Sequence, residues 1–338
     1  MQIGHRDALI EVRAPAKVNL FLEVLRRRED GFHEIETLMV PLDLSDSLRC
    51  LLRQDGDLRV TCRWTHGLQA TRAARSGSSG RVWDELPEGE GNLVFRALRL
   101  LKEASATALG MDIEILKRIP SSAGLGGASS DAAAALMAAN RLWRLEWSVE
   151  RLSEIAAMVG SDVPFFLRGT AAVCRGRGEQ VETVGGFRGW WLVIVRPPTG
   201  LSTARVYQEC RAASSPLAVS DQESASDRFG RMAGGQRSAV GLCEAAARDD
   251  LVAVARQLFN RLQLAAERQS PWIGRLASVF DSMDCLGHQM SGSGSSYFGI
   301  CRHAGHARRL AGRLRSADLG AVFVTATQGI GPCRRRVA

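Results

Sequence analysis

The chain has 338 residues, of which 45% are hydrophobic and 24% charged, and its formal net charge is +8. That length and balance exclude a minimal single core and a mainly disordered or fibrous polymer, and they leave room for two domains sharing a cleft. The positive charge admits an acidic partner, but the arginines are scattered, with the densest run at Arg334–Arg336. No aromatic residues alternate with them as a single-strand stacking platform needs, so a solvated surface explains the charge better than nucleic acid does.

In chain order, the opening MQIGHRDALIEV has no basic segment followed by an apolar one, which argues against an export signal. AKVNLFLEVL, residues 16–25, alternates as a strand, with Val18, Leu20, Leu22 and Val24 on one side and Lys17, Asn19, Phe21 and Glu23 on the other. Asp30-Gly31 supplies a hairpin turn, and Phe32 and His33 open the next extended run, where side chains can reach a ligand. Residues 65–91 and 211–238 have the Gly, Ser and charge content of surface insertions. Between them, 92–103 shows apolar residues at helical spacing (Leu93, Ala97, Leu100, Leu101), and 111–119 reads as a strand.

That strand runs into PSSAGLGGASSDAAAA, from Pro120 to Ala135. A glycine turn entering a helix presents free backbone N–H groups and the positive end of the helix dipole, which suit a phosphate, and Ser129 and Ser130 can add hydroxyls. The plainer alternative is that Ser129 or Ser130 caps the helix and the glycines allow close approach. Two familiar fingerprints do not fit. A P-loop needs lysine directly after the last glycine, where Ala128 stands, and a dinucleotide loop beginning at Gly124 needs glycine where Ser129 stands.

Farther on, Ser148 caps a helix that ends at Gly160, GWWLVIVRP around Trp190–Val195 is a strand too short for a membrane span, and 251–267 reads as one helix. Ser291–Ser296 is a second glycine loop before the strand Tyr297–Ile300. The eight cysteines contain no C-x-x-C pair and signal neither zinc nor a disulfide framework, so a cytoplasmic protein without a membrane partner is expected.

PAKVNLFLEV with DGFHEIET, then PSSAGLGGASSDAAAAL, then MSGSGSS occur in the order that resembles the GHMP kinase superfamily, over about Ala14 to residue 294. The resemblance implies an α+β fold of two domains: an N-terminal domain of the ribosomal S5 domain 2-like type (1–180), a C-terminal α/β domain (181–338), and an active site in the cleft. The first motif with GSDVPFF at 160–166 is similar to the branch of that superfamily whose acceptor is 4-diphosphocytidyl-2-C-methyl-D-erythritol, on the methylerythritol phosphate route to isoprenoids. A homoserine or mevalonate acceptor is the alternative within the superfamily. A basic nucleic-acid-binding protein on an S5-like fold is the alternative outside it.

By the same resemblance the cofactor is ATP with Mg2+, and the stretch Pro120, Ser121, Ser122, Ala123, Gly124, Leu125, Gly126, Gly127, Ala128, Ser129 and Ser130 wraps its phosphates. Asp162 takes or orients the proton of the acceptor hydroxyl, and Lys17 pairs with it. Asn19, Phe32, His33, Gly292 and Gly294 contact a cytidyl diphosphate substrate, with Thr203 beside them. Position 32 departs from the tyrosine usual in that branch, which keeps the stacking ring and loses the hydroxyl. Taken singly, each has an ordinary reading: an Asx turn for Asp162, an edge-strand lysine for Lys17, core for Phe32, surface for His33, a tight turn for the glycines. The implied assembly is a monomer or homodimer without nucleic acid.

Overall fold

A short strand β1 (Ile3–Arg6) leads into two long ones, β2 (Leu9–Arg27) and β3 (His33–Arg53), of 19 and 21 residues, far above a mean strand of about 5–6. They pair antiparallel through the expected Asp30-Gly31 turn, where Gly31 takes φ +85° and Asp30 Oδ1 accepts the Phe32 N–H at 3.1 Å. Strands this long follow a curved core only by interrupting their alternation. β2 does so between Pro15 and Lys17, Asn19 and Phe21, and Val24 and Arg26. The second interruption corrects the expected faces: Phe21 joins Val18 and Leu20 in one apolar cluster, and Leu22 turns to another.

The computed structural model describes residues 3–6, 9–65, 86, 87, 89–187, 189–213 and 237–328. The stretch 66–85, residues 214–236 and the Arg334–Arg336 run, which carry most of the expected insertions and the basic tail, lie outside the described residues.

The chain continues through β4 (Leu58–Trp64), α1 (Leu93–Ser105), β5 (Gly110–Lys117), α2 (Gly127–Leu142), α3 (Val149–Val159), α4 (Val163–Arg168), β6 (Ala172–Arg175) and β7 (Gln180–Thr183). Asn92 caps α1 by accepting the Val94 N–H at 2.9 Å, and Ser148 caps α3 as expected. The buried stripe of α1 is Val94, Ala97, Leu98 and Leu101, so Leu93 and Leu100 sit at its rim. These elements build a sheet in the order β1-β2-β3-β5-β4, with α1 to α4 on its inner face.

Next come β8 (Trp191–Arg196), α5 (Thr203–Ala213), α6 (Val240–Ala247), α7 (Leu251–Arg256), β9 (Phe259–Asn260), α8 (Gln263–Gln269), α9 (Pro271–Asp281), β10 (Gly287–Met290), β11 (Tyr297–Cys301), α10 (Ala304–Ser316) and β12 (Ala321–Ala326). A second sheet has the order β10-β11-β8-β12 and is antiparallel throughout. Leu192, Ile194, Phe298 and Ile300 face the first sheet, while Val193, Val195, Tyr297 and Cys301 face the helices behind. Burial on both sides explains why WLVIV is continuously apolar. The helix expected over 251–267 is broken, because Phe259 and Asn260 extend and pair in parallel with Phe21 and Leu22 of β2. Helices and sheets on a shared core make this an α+β protein, as expected, and among the described residues no helix is long and apolar enough to cross a membrane.

Candidate active site

Three chain segments close around Lys17. Its backbone N–H donates to Leu125 O at 2.9 Å, which ties β2 to the glycine loop before α2. Its side chain is buried, and Nζ donates to Asn19 Oδ1 at 2.6 Å and lies 3.5 Å from Asp162 Oδ2. Asp162 sits at the head of α4 but makes no capping bond there, and its carboxylate is 35% exposed. The Asx-turn reading therefore gives way: the side chain faces Lys17 and open space.

The glycine loop reaches Lys17 because its glycines carry no side chains. Gly124 and Gly126 take φ of +72° and +71°, a region that favours glycine. A Cβ on Gly126 would stand 2.8 Å from the Phe166 ring and 3.1 Å from Lys17 Cγ, and one on Gly124 would meet the Ser291 carbonyl. Within the stretch, Ala123 and Leu125 are core anchors, Pro120, Gly127 and Ser130 are buried, Ser121, Gly124, Gly126 and Ser129 are half-buried, and Ser122 and Ala128 are exposed.

α2 begins at Gly127, ahead of both serines, with Gly126 as its cap and no side-chain capping bond. Neither Ser129 nor Ser130 serves as the cap, so the first amides of a sixteen-residue helix stay available to a ligand. The hydroxyls of Ser130, Ser295 and Ser296 are buried and without a hydrogen-bond partner among the described residues. Uncapped amides, the positive helix end and unsatisfied hydroxyls in the two glycine loops fit phosphate oxygens.

The second glycine loop is held by residues that sequence reasoning missed. Ser291 Oγ accepts the Asn19 N–H at 3.3 Å and donates to Gly124 O at 3.0 Å. Asn260 Nδ2 donates to Met290 O and Gly292 O, both at 2.8 Å. A Cβ on Gly292 would lie 3.1 Å from Asn19 Oδ1 and 3.2 Å from Lys17 Nζ, so this glycine does border the central pair. Gly294 is set back against Met290 and Leu201, and Thr203 Oγ1 meets Ser293 Oγ at 2.8 Å.

Phe32 and His33 stand to one side. Phe32 is 51% exposed at its hairpin, with the Arg177 guanidinium 4.9 Å from its ring centre. It is not core. The turn bearing Arg177 also approaches Asp162, since a Cβ on Gly178 would lie 3.8 Å from Asp162 Oδ1. His33 stacks on Tyr207 of α5 at 5.1 Å between centroids. Burial, and then the Asp162 charge, push the Tyr207 hydroxyl well above its usual acidity range. Tyr207 was another omission; its sequence neighbourhood is an ordinary helix.

Comparison with known proteins places this chain in a family. Residues 92–170 match the model described as GHMP kinases N terminal domain, and residues 242–318 match that described as GHMP kinases C terminal. The chain is 33% identical over 323 residues to a 4-diphosphocytidyl-2-C-methyl-D-erythritol kinase from Shouchella clausii, covering 95% of this chain and 96% of that protein. Against the protein of the same name from Geotalea daltonii it is 36% identical over 311 residues, covering 91% and 96%. A crystal structure of 4-(cytidine 5'-diphospho)-2C-methyl-D-erythritol kinase superposes with a TM-score of 0.70 at 33% identity, over 95% of this chain and all of that one. A homoserine kinase from Cytophaga hutchinsonii, with a TM-score of 0.65 at 18% identity over 97% and 98% of the two chains, shares the fold. With matches at both ends and close to full-length coverage, the chain belongs to the 4-diphosphocytidyl-2-C-methyl-D-erythritol kinase family of the GHMP kinases.

Proposed function

We propose that this chain transfers the γ-phosphoryl group of ATP to the 2-hydroxyl of 4-diphosphocytidyl-2-C-methyl-D-erythritol, as a cytoplasmic enzyme whose ATP-binding domain is residues 1–180 and whose second domain is 181–338. The observation that carries the reading is the Lys17–Asp162 pair at 3.5 Å, set beside the uncapped start of α2. Phosphoryl transfer asks a protein mainly for positioning and charge stabilisation, and this pair supplies both next to a phosphate cradle.

Asp162 accepts or orients the hydroxyl proton while the acceptor oxygen bonds to the γ-phosphorus. The bond from that phosphorus to the bridging oxygen breaks, and its electron pair leaves with ADP. Lys17, steered by Asn19, faces the charge that develops on the transferring oxygens. The amides of Gly127 to Ser129 and the hydroxyl of Ser130 hold the phosphates, and Gly292 lets backbone approach. Phe32, His33 and Tyr207 supply ring faces for the cytosine.

Among the described residues no group of three or more His, Cys, Asp and Glu could hold a metal ion. Magnesium would be carried on the ATP phosphates and would supply charge neutralisation there.

The test is ADP release from Mg·ATP with the cytidyl substrate, homoserine and mevalonate as parallel acceptors at two salt concentrations. Turnover with the cytidyl substrate alone supports the reading. Turnover only with another acceptor would remove the base pocket, and no turnover by folded protein would remove the kinase assignment.

A further inference from the structure

Under the phosphate loop lies a buried charge cluster that phosphoryl transfer does not use. Lys117, the last residue of β5, is 4% exposed, and its Nζ donates to Asp131 Oδ2 at 2.6 Å and to Asp46 Oδ2. The other oxygen of Asp46, on β3, accepts the backbone N–H of Ile119 at 2.8 Å and that of Arg118. Asp131 lies in the second turn of α2, and its Oδ1 is buried with no hydrogen-bond donor among the described residues. The ammonium abuts the helix start, because a Cβ on Gly127 would stand 3.3 Å from Lys117 Nζ.

One ammonium therefore faces two carboxylates. With both ionised the cluster holds one surplus negative charge, and with one protonated it is neutral. A surplus charge closed off from water is costly, and this one would sit below the helix end that has to receive phosphates. Among the described residues the surroundings offer no second cation to the cluster. The buried residues of α1, α3 and α4 are apolar except where Asn92 caps α1. From β2, Lys17 is engaged with Asn19 and Asp162, and the Arg118 guanidinium turns to Ser47 Oγ at 3.1 Å. On β4, burial pushes the Cys62 thiol up to about 12, which leaves it neutral. Three donors on Asp46 suit an acceptor-only carboxylate, whereas among the described residues Lys117 is the one donor to Asp131, whose carboxyl also meets that of Asp46, a contact that favours a proton on Asp131.

From this geometry we infer that Asp131 carries a proton at neutral pH, and that this proton keeps the floor of the phosphate loop neutral so that α2 can receive the ATP phosphates. The inference rests on the ATP reading above. Burial, and the Asp46 charge, push the Asp131 carboxyl up to about 8 against the pull of Lys117. Losing the proton in alkaline solution restores the surplus charge and opposes the phosphates. By reciprocity, binding of phosphates tightens the hold on the proton, so ATP binding near that pH draws protons from solution. Asp131 acts through Lys117 and the helix end, which makes it a positioning residue and not a catalytic one.

The experiment is calorimetric titration of Mg·ATP into the acceptor-free protein at about pH 7 and about pH 9, and at about pH 8 in two buffers of different protonation enthalpy. It is run on the wild type and on Asp131→Asn, an isostere of the protonated acid with no proton to lose. The expected wild-type affinity falls roughly fivefold to tenfold across the range with proton uptake at about pH 8, while the variant changes less than about twofold and takes up none. A pH-independent wild-type affinity without proton uptake overturns the inference, as does an equal alkaline fall in the folded variant. If the variant does not fold, wild-type uptake decides alone. Absence of Mg·ATP binding at about pH 7 would overturn the ATP reading and take this inference with it.

Discussion

Lys17 Nζ lies 3.5 Å from Asp162 Oδ2, with the ammonium buried and the carboxylate partly open. The asymmetry matters for chemistry. Lys17 is fixed by Asn19 on its own strand, so Asp162 can turn its free edge toward an incoming hydroxyl without losing its partner.

Asp162→Asn keeps the shape and removes the carboxylate charge proposed to accept or orient the hydroxyl proton. We expect kcat to fall at least about a hundredfold, about 2.7 kcal/mol of transition-state stabilisation, while Mg·ATP affinity stays within about twofold. Steady-state kinetics with a parallel ATP titration checks this, and turnover near wild type would take Asp162 out of the mechanism.

Lys17→Met keeps the stem that rests beside Gly126 and deletes the charge. The expected result is a kcat about a hundredfold lower with the KM for the cytidyl acceptor within about threefold, because the charge is needed when the transferring oxygens develop theirs. A rise in acceptor KM with kcat intact would make Lys17 a substrate-binding residue instead.

Gly126→Val tests the cradle. Its φ of +71° and the Phe166 ring leave no room for a branched side chain. Mg·ATP affinity should drop at least about tenfold in protein that remains folded by circular dichroism. Unchanged affinity would place the phosphates elsewhere.

Tyr207→Ala removes the ring stacked on His33. Losing a base-stacking face of this kind is worth about 1–3 kcal/mol, so the acceptor KM should rise about tenfold or more, with kcat changed less than about threefold. Equal acceptor KM in variant and wild type would separate Tyr207 from the base pocket.

Asp131 also gives stability a pH dependence of known sign. Its carboxyl is raised in the folded chain, first by burial, to about 8 from an ordinary 3.8. Below about pH 4 both states hold the proton and nothing is lost. As pH rises toward about 8 the unfolded state gains by ionising and the folded state does not, so stability declines across that window. Asp131→Asn should therefore match the wild type in Tm near pH 4 and exceed it above about pH 8. A constant Tm difference across the range would contradict the assignment.

The glycine loop before α2, the Asp30-Gly31 hairpin, the Asn92 and Ser148 helix starts and the apolar β8 strand were legible in the sequence because each depends on neighbours a few residues away: a glycine's φ, a cap's reach, a strand's alternation. The family motifs also named Lys17, Asn19 and Asp162 before any distance was known. Only the tertiary structure showed that the 251–267 segment breaks so that Asn260 can hold Gly292, that β2 shifts phase after Asn19, and that Ser291 bridges Asn19 to Gly124. The same is true of Lys117 beneath Gly127 and Tyr207 against His33. These pairings join positions far apart in the chain, and local periodicity and propensity carry no record of which distant groups a packed core will bring into contact.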